Sequence, residues 1–358
     1  MKIIQVMPEF GLAGAEIMCE NLTYELISLG NEVIVVSLYD YHSAITKRME
    51  DRGIRIEYLQ KKSGLDLSVI LKLKKMFSKE KPDVIHTHRY VMQYSIPAAI
   101  LSGVKKRVHT VHNIAQKENT PLARKINKLF YKFANVIPVA ISNEIKKTII
   151  EEYKIMNDKI PVIINGIDLE KCILKDSYTL NNAIQILHIG RFSEQKNHVG
   201  LINAFAKYVK EYPNAVLNLI GDGEKRTQIE SLVKSLQIEK NVVFRGLQDN
   251  VYEYLKNADI FVLPSLYEGV PMTLLEAMGS GLPIIATDVG GVSDILTNNE
   301  EALLIAVDDG AIENALFRFS EDEALREKCG KNARLRSEQY SSHSMARLYM
   351  EAYSNGSN

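Results

Sequence analysis

Ser265-Leu266-Tyr267-Glu268-Gly269-Val270-Pro271-Met272-Thr273-Leu274-Leu275-Glu276-Ala277-Met278 follows one short apolar run, Ile260–Leu263, and precedes another, Pro283–Thr287. An apolar run, a turn, a helical stretch and a second apolar run make up a strand–helix–strand unit of a parallel sheet. Gly269 is expected where the backbone turns unusually, and Pro271 suits the first helical position, where a missing N–H costs nothing. The amides of Met272, Thr273 and Leu274 then point outward as an anion site. Glu268 and Glu276 flank that turn, and carboxylates accept hydrogen bonds from hydroxyls. The segment suits a ligand that carries both phosphate and hydroxyl groups.

The same alternation runs outward in both directions. Strand candidates in the first half are Ile3–Met7, Glu32–Ser37, Arg55–Tyr58, Val84–His86, Arg107–Val111 and Ile137–Ile141. In the second half they are Ile184–Ile189, Ala215–Ile220, Val242–Arg245, Ile260–Leu263, Pro283–Thr287 and Ala302–Ile305. Helical stretches such as Ala15–Leu29, Asn197–Lys210 and Glu224–Leu236 lie between them, the pattern of a doubly wound α/β architecture. The alternation pauses over residues 166–182. The chain is therefore read as an N-terminal domain over 1–165, a linker over 166–182, a C-terminal domain over 183–340 and a final helix within 341–358 that returns to the first domain.

In open α/β sheets ligands sit beyond the carboxyl ends of the strands. His188-Ile189-Gly190-Arg191-Phe192-Ser193-Glu194-Gln195-Lys196-Asn197 occupies such a place and brings two cations, Arg191 as a planar fork and Lys196 as a point charge. Gly11-Leu12-Ala13-Gly14-Ala15-Glu16 follows the first strand and opens a helix. It is not the G-x-G-x-x-G of dinucleotide oxidoreductases. Two further strand ends carry histidines, Val84-Ile85-His86-Thr87-His88-Arg89 and Val108-His109-Thr110-Val111-His112-Asn113. His86 and His88, two apart, share one strand face. No histidine set has the spacing of a zinc site. Asp308-Asp309-Gly310 precedes a helix and reads as its N-cap rather than as a metal motif.

Taken together these segments resemble the retaining glycosyltransferases of family four. Glu268 to Glu276 matches the E-G-x-P-x-x-x-L-E-A-M form of that family's paired-glutamate signature, and Gly190 to Asn197 is similar to its G-R-x-x-x-x-K-N loop. Asn165-Gly166-Ile167-Asp168, Gly221-Asp222-Gly223, Phe244-Arg245-Gly246-Leu247 and Asp288-Val289-Gly290-Gly291 are similar to further family segments. The glycine loop resembles G-G-A-E-R but carries Ala13 for a glycine and Ile17 for the arginine. The resemblance implies a GT-B fold, two Rossmann-like doubly wound domains facing across a cleft. It implies Glu276 on the ribose, Arg191 and Lys196 with the amides near Thr273 and Leu274 on the diphosphate, and Glu268 on the donor sugar. Gly14, Gly190, Gly246, Gly269 and Met272 would line the donor, and His112 would face the transferring sugar. Glu16, His88 and Asn113 would face the acceptor. No metal and no cofactor are expected. The competing reading of each histidine is a hydrogen-bonded loop residue.

Composition sets the remaining bounds. The 358 residues are 46 % apolar and 25 % charged, enough for two cores. The net charge of zero conceals an asymmetry: residues 1–175 hold 27 Lys+Arg against 19 Asp+Glu, and residues 176–358 hold 17 against 25. Three scattered cysteines point to a reducing cytoplasm. The start lacks the features of a signal peptide, and no apolar stretch is long enough to span a bilayer. Pro121–Phe133 reads as a basic amphipathic helix, able to rest on the anionic inner face of a membrane. The expectation is a hexosyltransferase using a nucleoside-diphosphate sugar, with UDP as the commoner nucleotide. Its acceptor would be a saccharide or lipid-linked chain of capsule, exopolysaccharide or lipopolysaccharide synthesis, and no nucleic acid is involved. Two alternatives stand beside it: a UDP-sugar 2-epimerase-like isomerase, and a catalytically silent partner subunit that binds sugar nucleotides.

Overall fold

The computed structural model describes residues 1–355, so the last three residues of the C-terminal segment lie outside the described residues. The chain forms two compact units, one built from Met1–Gly166 and the segment that begins at Ser342, the other from Ile167–Ser341.

The first unit holds strands β1 (Lys2–Met7), β2 (Glu32–Ser37), β3 (Ile56–Tyr58), β4 (Val84–His88), β5 (Lys106–Val111) and β6 (Val136–Ala140). Between them run helices α1 (Gly14–Ser28), α2 (Ala44–Asp51), α3 (Ser68–Glu80), α4 (Met92–Leu101), α5 (Ala115–Glu118), α6 (Pro121–Phe133) and α7 (Asn143–Tyr153). The second unit holds β7 (Gln185–Ile189), β8 (Val216–Ile220), β9 (Val242–Gly246), β10 (Ile260–Leu263), β11 (Ile284–Thr287) and β12 (Leu303–Ile305). Its helices are α8 (His198–Glu211), α9 (Arg226–Ser235), α10 (Tyr252–Asn257), α11 (Met272–Gly279), α12 (Val292–Ile295), α13 (Asp309–Glu321) and α14 (Glu323–Ser337).

Both sheets are parallel. The strand orders are β3-β2-β1-β4-β5-β6 and β12-β11-β10-β7-β8-β9. Counted from each unit's own first strand, the two orders are the same, that of the Rossmann fold. Strands such as β4, β10 and β11 are buried along their whole length, which is why they read as unbroken apolar runs. In this order the direction of winding reverses between β1 and β4 in one unit and between β7 and β10 in the other. The loops after these strands therefore diverge and leave room for a ligand.

The expected strands are all present, with ends shifted by one or two residues. β4 runs on to His88, so His86 and His88 point to one face, their rings 4.1 Å apart. Asp308 caps α13, its carboxylate accepting from the Ala311 amide at 3.0 Å. Residues 166–182 contain no helix or strand, yet they are tied down. The Ile167 amide donates to the Tyr340 carbonyl at 3.0 Å, and Lys175 pairs with Asp259 at 3.1 Å.

The last helix, α15 (Ser342–Asn355), belongs to the first unit. Tyr349 and Tyr353 are completely buried there. Tyr353 Oη lies 2.8 Å from His86 Nδ1, and Tyr349 Oη lies 2.8 Å from Thr110 Oγ1, which in turn lies 2.8 Å from His86 Nε2. Each polar atom that these tyrosines carry into the core thus finds a partner. Replacing Tyr353 by Phe, which removes one buried hydrogen bond and strands His86 Nδ1, is expected to cost about 1–3 kcal/mol. Tyr353→Ala, which also opens a cavity, is expected to cost about 3–5 kcal/mol. Urea unfolding of the two variants beside the parent checks both the order and the size.

Candidate active site

The second unit assembles its site from the loops after β7 and β10. The β7 loop is pressed against the loop after β8: Gly190 N–H donates to the Ile220 carbonyl at 2.9 Å, and Phe192 N–H to the Asp222 carbonyl at 3.0 Å. Gly221 adopts φ +132°, and a Cβ there would lie 2.1 Å from the Gly190 carbonyl oxygen. Only glycine permits that approach. The β7 loop is also stitched to the β10 loop. Leu266 N–H donates to the Gln195 carbonyl at 2.8 Å, and the Asn197 side chain donates to the Pro264 carbonyl at 3.1 Å.

This stitching brings Lys196 to Glu268, Nζ to Oε1 at 2.6 Å, both side chains largely buried. One ammonium hydrogen is used there and two remain for other acceptors. Gln195, which sequence reading passed over, steadies the same carboxylate: its Nε2 donates to the Tyr267 carbonyl at 2.9 Å and lies 3.4 Å from Glu268 Oε2. Arg191 does not join the pair. Its side chain is 74 % exposed and bridges to Glu224 at 3.1 Å. The two cations expected together are therefore split into an inner lysine and an outer arginine.

The turn into α11 departs from expectation in three ways. Pro271, with φ −73° and ψ 132°, is the N-cap, and the helix begins at Met272. The Leu274 amide is not free, since it donates to the Pro271 carbonyl at 3.1 Å. Among the described residues, only the amides of Met272 and Thr273 remain open at this end. Gly269 is absent from the positive-φ glycines, which in this unit are Gly221, Gly223, Gly246, Gly281 and Gly290. Buried hydroxyls without partners lie on the same segment, at Ser265 and Thr273. His188 donates from Nδ1 to the Val262 carbonyl at 2.8 Å, which leaves its buried Nε2 bare beneath Gly190.

Glu276 lies one turn into α11, only 4 % exposed, with Tyr252 Oη 3.5 Å from its Oε1. Burial penalises its charge and lifts its pKa from 4.5 to about 7. Its contact with Tyr252 of α10 could not be read from the sequence. Gly246, at φ +66°, ends β9, and its carbonyl receives the Gly221 amide at 2.9 Å.

In the first unit the switch point between β1 and β4 gathers a different set. Gly14 opens α1 behind Ala13, whose side chain makes no cap. Glu16 is 1 % exposed and paired with Arg89, which holds φ +57°. It is a buried anchor for Arg89, with Oε2 left unpartnered. His88 is fully buried and lies 3.1 Å, through Nδ1, from His112 Nε2. Both residues expected to face an acceptor are buried, Glu16 against Arg89 and His88 against His112. His112 is half-buried and Asn113 is exposed. The Glu118 carboxylate accepts from the His112 amide at 3.0 Å. Burial, with the neighbouring His109 and Arg89, holds the His112 pKa well below the usual imidazole range.

Comparison with known proteins gives the family and the fold. A family model described as Glycosyltransferase Family 4 matches residues 12–171, and one described as Glycosyl transferases group 1 matches residues 173–336. An Escherichia coli protein named UDP-Gal:alpha-D-GlcNAc-diphosphoundecaprenol alpha-1,3-galactosyltransferase is 33 % identical over 73 % of this chain and 72 % of its own. The chain belongs to glycosyltransferase family four. The N-acetyl-alpha-D-glucosaminyl L-malate synthase of Bacillus anthracis is 32 % identical over 75 % of this chain and 73 % of its own. Among solved structures, Anabaena Alr3699/HepE in complex with UDP and glucose superposes with a TM-score of 0.86 at 18 % identity, covering 99 % of this glycosyltransferase and 100 % of that chain. The two units of the glycosyltransferase are the Rossmann-like domains of the GT-B fold.

The raised pKa of Glu276 means that the fold disfavours its anion. A Gln there has no charge to bury, so the two forms should be equally stable where Glu276 is protonated. The parent should fall behind as pH rises from 4.5, with the deficit complete above about 7. Thermal unfolding at pH 5 and pH 8 is expected to show Glu276→Gln more stable than the parent at pH 8, by roughly 3 kcal/mol, with a much smaller gap at pH 5. A parent as stable as Glu276→Gln at pH 8 would refute the assignment.

Proposed function

We propose that this glycosyltransferase moves a hexose-type sugar from UDP to a saccharide or lipid-linked acceptor in surface-polysaccharide synthesis, with retention of configuration and without a metal ion. The observation that carries the reading is the pairing of Lys196 with Glu268 beside an open helix end. One cation and two free amides lie next to a carboxylate, as a donor with phosphates on one side and sugar hydroxyls on the other requires. Glu276, neutral or charged, can accept from ribose hydroxyls. Lys196, the Met272 and Thr273 amides and the outer Arg191 stabilise the diphosphate as it leaves, where charge develops in the transition state. The bond between the anomeric carbon and the phosphate oxygen breaks, and the acceptor oxygen bonds on the same face. The acceptor's proton passes to the departing phosphate, so no protein nucleophile takes part. Support for UDP and for a lipid-linked acceptor comes from the names of similar proteins, the Escherichia coli galactosyltransferase and the Anabaena complex.

A thermal-shift titration with UDP, GDP and a panel of UDP-sugars, with and without EDTA, tests the donor reading, because a ligand of the folded state raises apparent stability. UDP-sugars are expected to stabilise the parent equally in EDTA, with the shift reduced at least by half in Lys196→Ala and Glu276→Ala. A shift that disappears in EDTA would overturn the metal-free reading, and no shift with any nucleotide would overturn the donor site. The parent run for product with no acceptor present separates transfer from the epimerase reading.

We further propose that α6 rests on an anionic membrane surface. The helix buries Ala123, Asn127 and Tyr131 and turns its large apolar residues outward: Leu122 is 70 % exposed, Leu129 54 % and Phe133 71 %. Lys125, Lys128 and Lys132 stand exposed among them. The neighbouring α4 ends on exposed Ile100 and Leu101, and α3, which packs on α4, carries exposed Leu71. Apolar residues set among lysines suit the boundary between headgroups and acyl chains. Among the described residues no helix is long and apolar enough to cross a membrane. Co-sedimentation with phosphatidylglycerol vesicles is expected for the parent and should fall several-fold in Leu129→Ser/Phe133→Ser. Equal recovery of both proteins would reject the surface.

A further inference from the structure

Behind His112 lies a buried row of polar side chains whose hydrogen bonds can run in only one direction. It starts in α1, where the Thr23 hydroxyl lies 2.7 Å from the Cys19 carbonyl. A carbonyl only accepts, so Thr23 uses its single proton there. Its oxygen must then accept the bond from Gln5 Nε2, at 2.7 Å. That sets the carboxamide of the fully buried Gln5, whose Oε1 faces two groups, Cys19 Sγ at 3.4 Å and His88 Nε2 at 3.1 Å. An amide oxygen cannot donate, so the proton sits on His88 Nε2. Burial and the imidazoles of His86, His112 and His109 keep His88 neutral, so its Nδ1 is bare. This Nδ1 lies 3.1 Å from His112 Nε2. Two lone pairs at that distance would repel, so His112 carries its proton on Nε2.

The consequence falls on the other nitrogen of His112. Nδ1 bonds no described residue and is not sealed off from solvent, since it does not appear among the buried atoms without partners. We infer that Thr23, Gln5 and His88 are positioning residues that hold His112 in its Nε2–H tautomer, so that it meets the substrate with a lone pair. In that state His112 accepts a hydrogen bond from a hydroxyl and cannot donate one to a phosphate oxygen. The tautomer follows from the buried chain alone; only its effect on turnover rests on the reading of His112 as a residue facing substrate. None of the three touches substrate, since Thr23, Gln5 and His88 are each completely buried. The arrangement parallels a metal-bound or catalytic histidine whose second nitrogen is fixed by an orienting partner.

Nitrogen-15 spectra of histidine-labelled protein at pH 7.5 read the tautomers directly, with His88→Gln and His112→Gln supplying the assignments. The parent is expected to show both residues neutral with the proton on Nε2. A Nδ1–H signal for His112 overturns the inference, and it needs no variant to fold. Thr23→Val removes the acceptor that orients Gln5 and is expected to give mixed tautomers at His88 and His112, whereas Thr23→Ser keeps the single pattern. Unchanged tautomers in Thr23→Val would also overturn the inference. With the UDP-sugar that stabilises the parent most, kcat for UDP release should fall about tenfold or more in Thr23→Val, with KM for the donor little changed, and recover in Thr23→Ser. Altered tautomers with unaltered kcat would instead overturn the reading of His112 as a residue facing substrate.

Discussion

Lys196 and Glu268 are separated by 72 positions in the chain and by 2.6 Å in space. The pair depends on β7 and β10 lying side by side, which the parallel order of the second sheet provides. A largely buried ammonium and carboxylate need each other, because either one alone would face a large desolvation cost. Their loops are accordingly held by backbone bonds on both sides: Leu266 to Gln195, and Gly190 to Ile220. Glycine at position 221 is what permits the loops after β7 and β8 to approach this closely. The corner of the second unit that holds the ion pair and the open end of α11 is shaped by those bonds.

The two units solve the same topological problem with different electrostatics. Each places its chemistry at the switch between its first and fourth strands. In the second unit the site is charged, with an ion pair, an outer arginine and a carboxyl whose pKa is raised by burial. In the first unit it is a neutral relay of amide, hydroxyl and imidazole groups, with one half-buried ion pair, Glu16 and Arg89, to the side. A charged site suits a diphosphate, and a directional neutral relay suits the orientation of a hydroxyl. Beside the relay, Tyr353 of α15 and Thr110 of β5 leave no polar atom of His86 unpaired, and its ring lies against that of His88.

Much of this was legible in the residues themselves. Unbroken apolar runs such as Ile260–Leu263 are as expected of strands covered on both faces, and their alternation with amphipathic stretches led to two doubly wound units. The paired-glutamate segment, with its Gly, Pro and Leu in place, carries the family resemblance in the residues alone. Side-chain direction was less legible. Arg191 and Lys196 are five apart in one loop, and nothing local separates the one that turns inward to Glu268 from the one that turns outward to Glu224. Pro271 fits either the cap or the first turn, and the structure makes it the cap, its carbonyl receiving the Leu274 amide. The helix α6 shows the same limit, since its periodicity identifies an apolar face without saying whether that face meets the core or the solvent.

What the sequence by itself determined is the fold class, the places where strands end in loops and the chemical character of those loops. These follow from short-range patterns of period two and 3.6 and from residues such as Gly and Pro that restrict the backbone locally. Only the tertiary structure decided which loop side chains pair, which are buried and which are presented. Glu276 has its pKa raised to about 7, and His112 presents a bare Nδ1, because of what packs around them: burial within the second unit, which outweighs the opposing hydrogen bond from Tyr252, in the first case, and Gln5 and Thr23 through His88 in the second. Desolvation and hydrogen-bond direction are set by neighbours distant in the chain, and a linear string of residues does not contain that information in any local pattern.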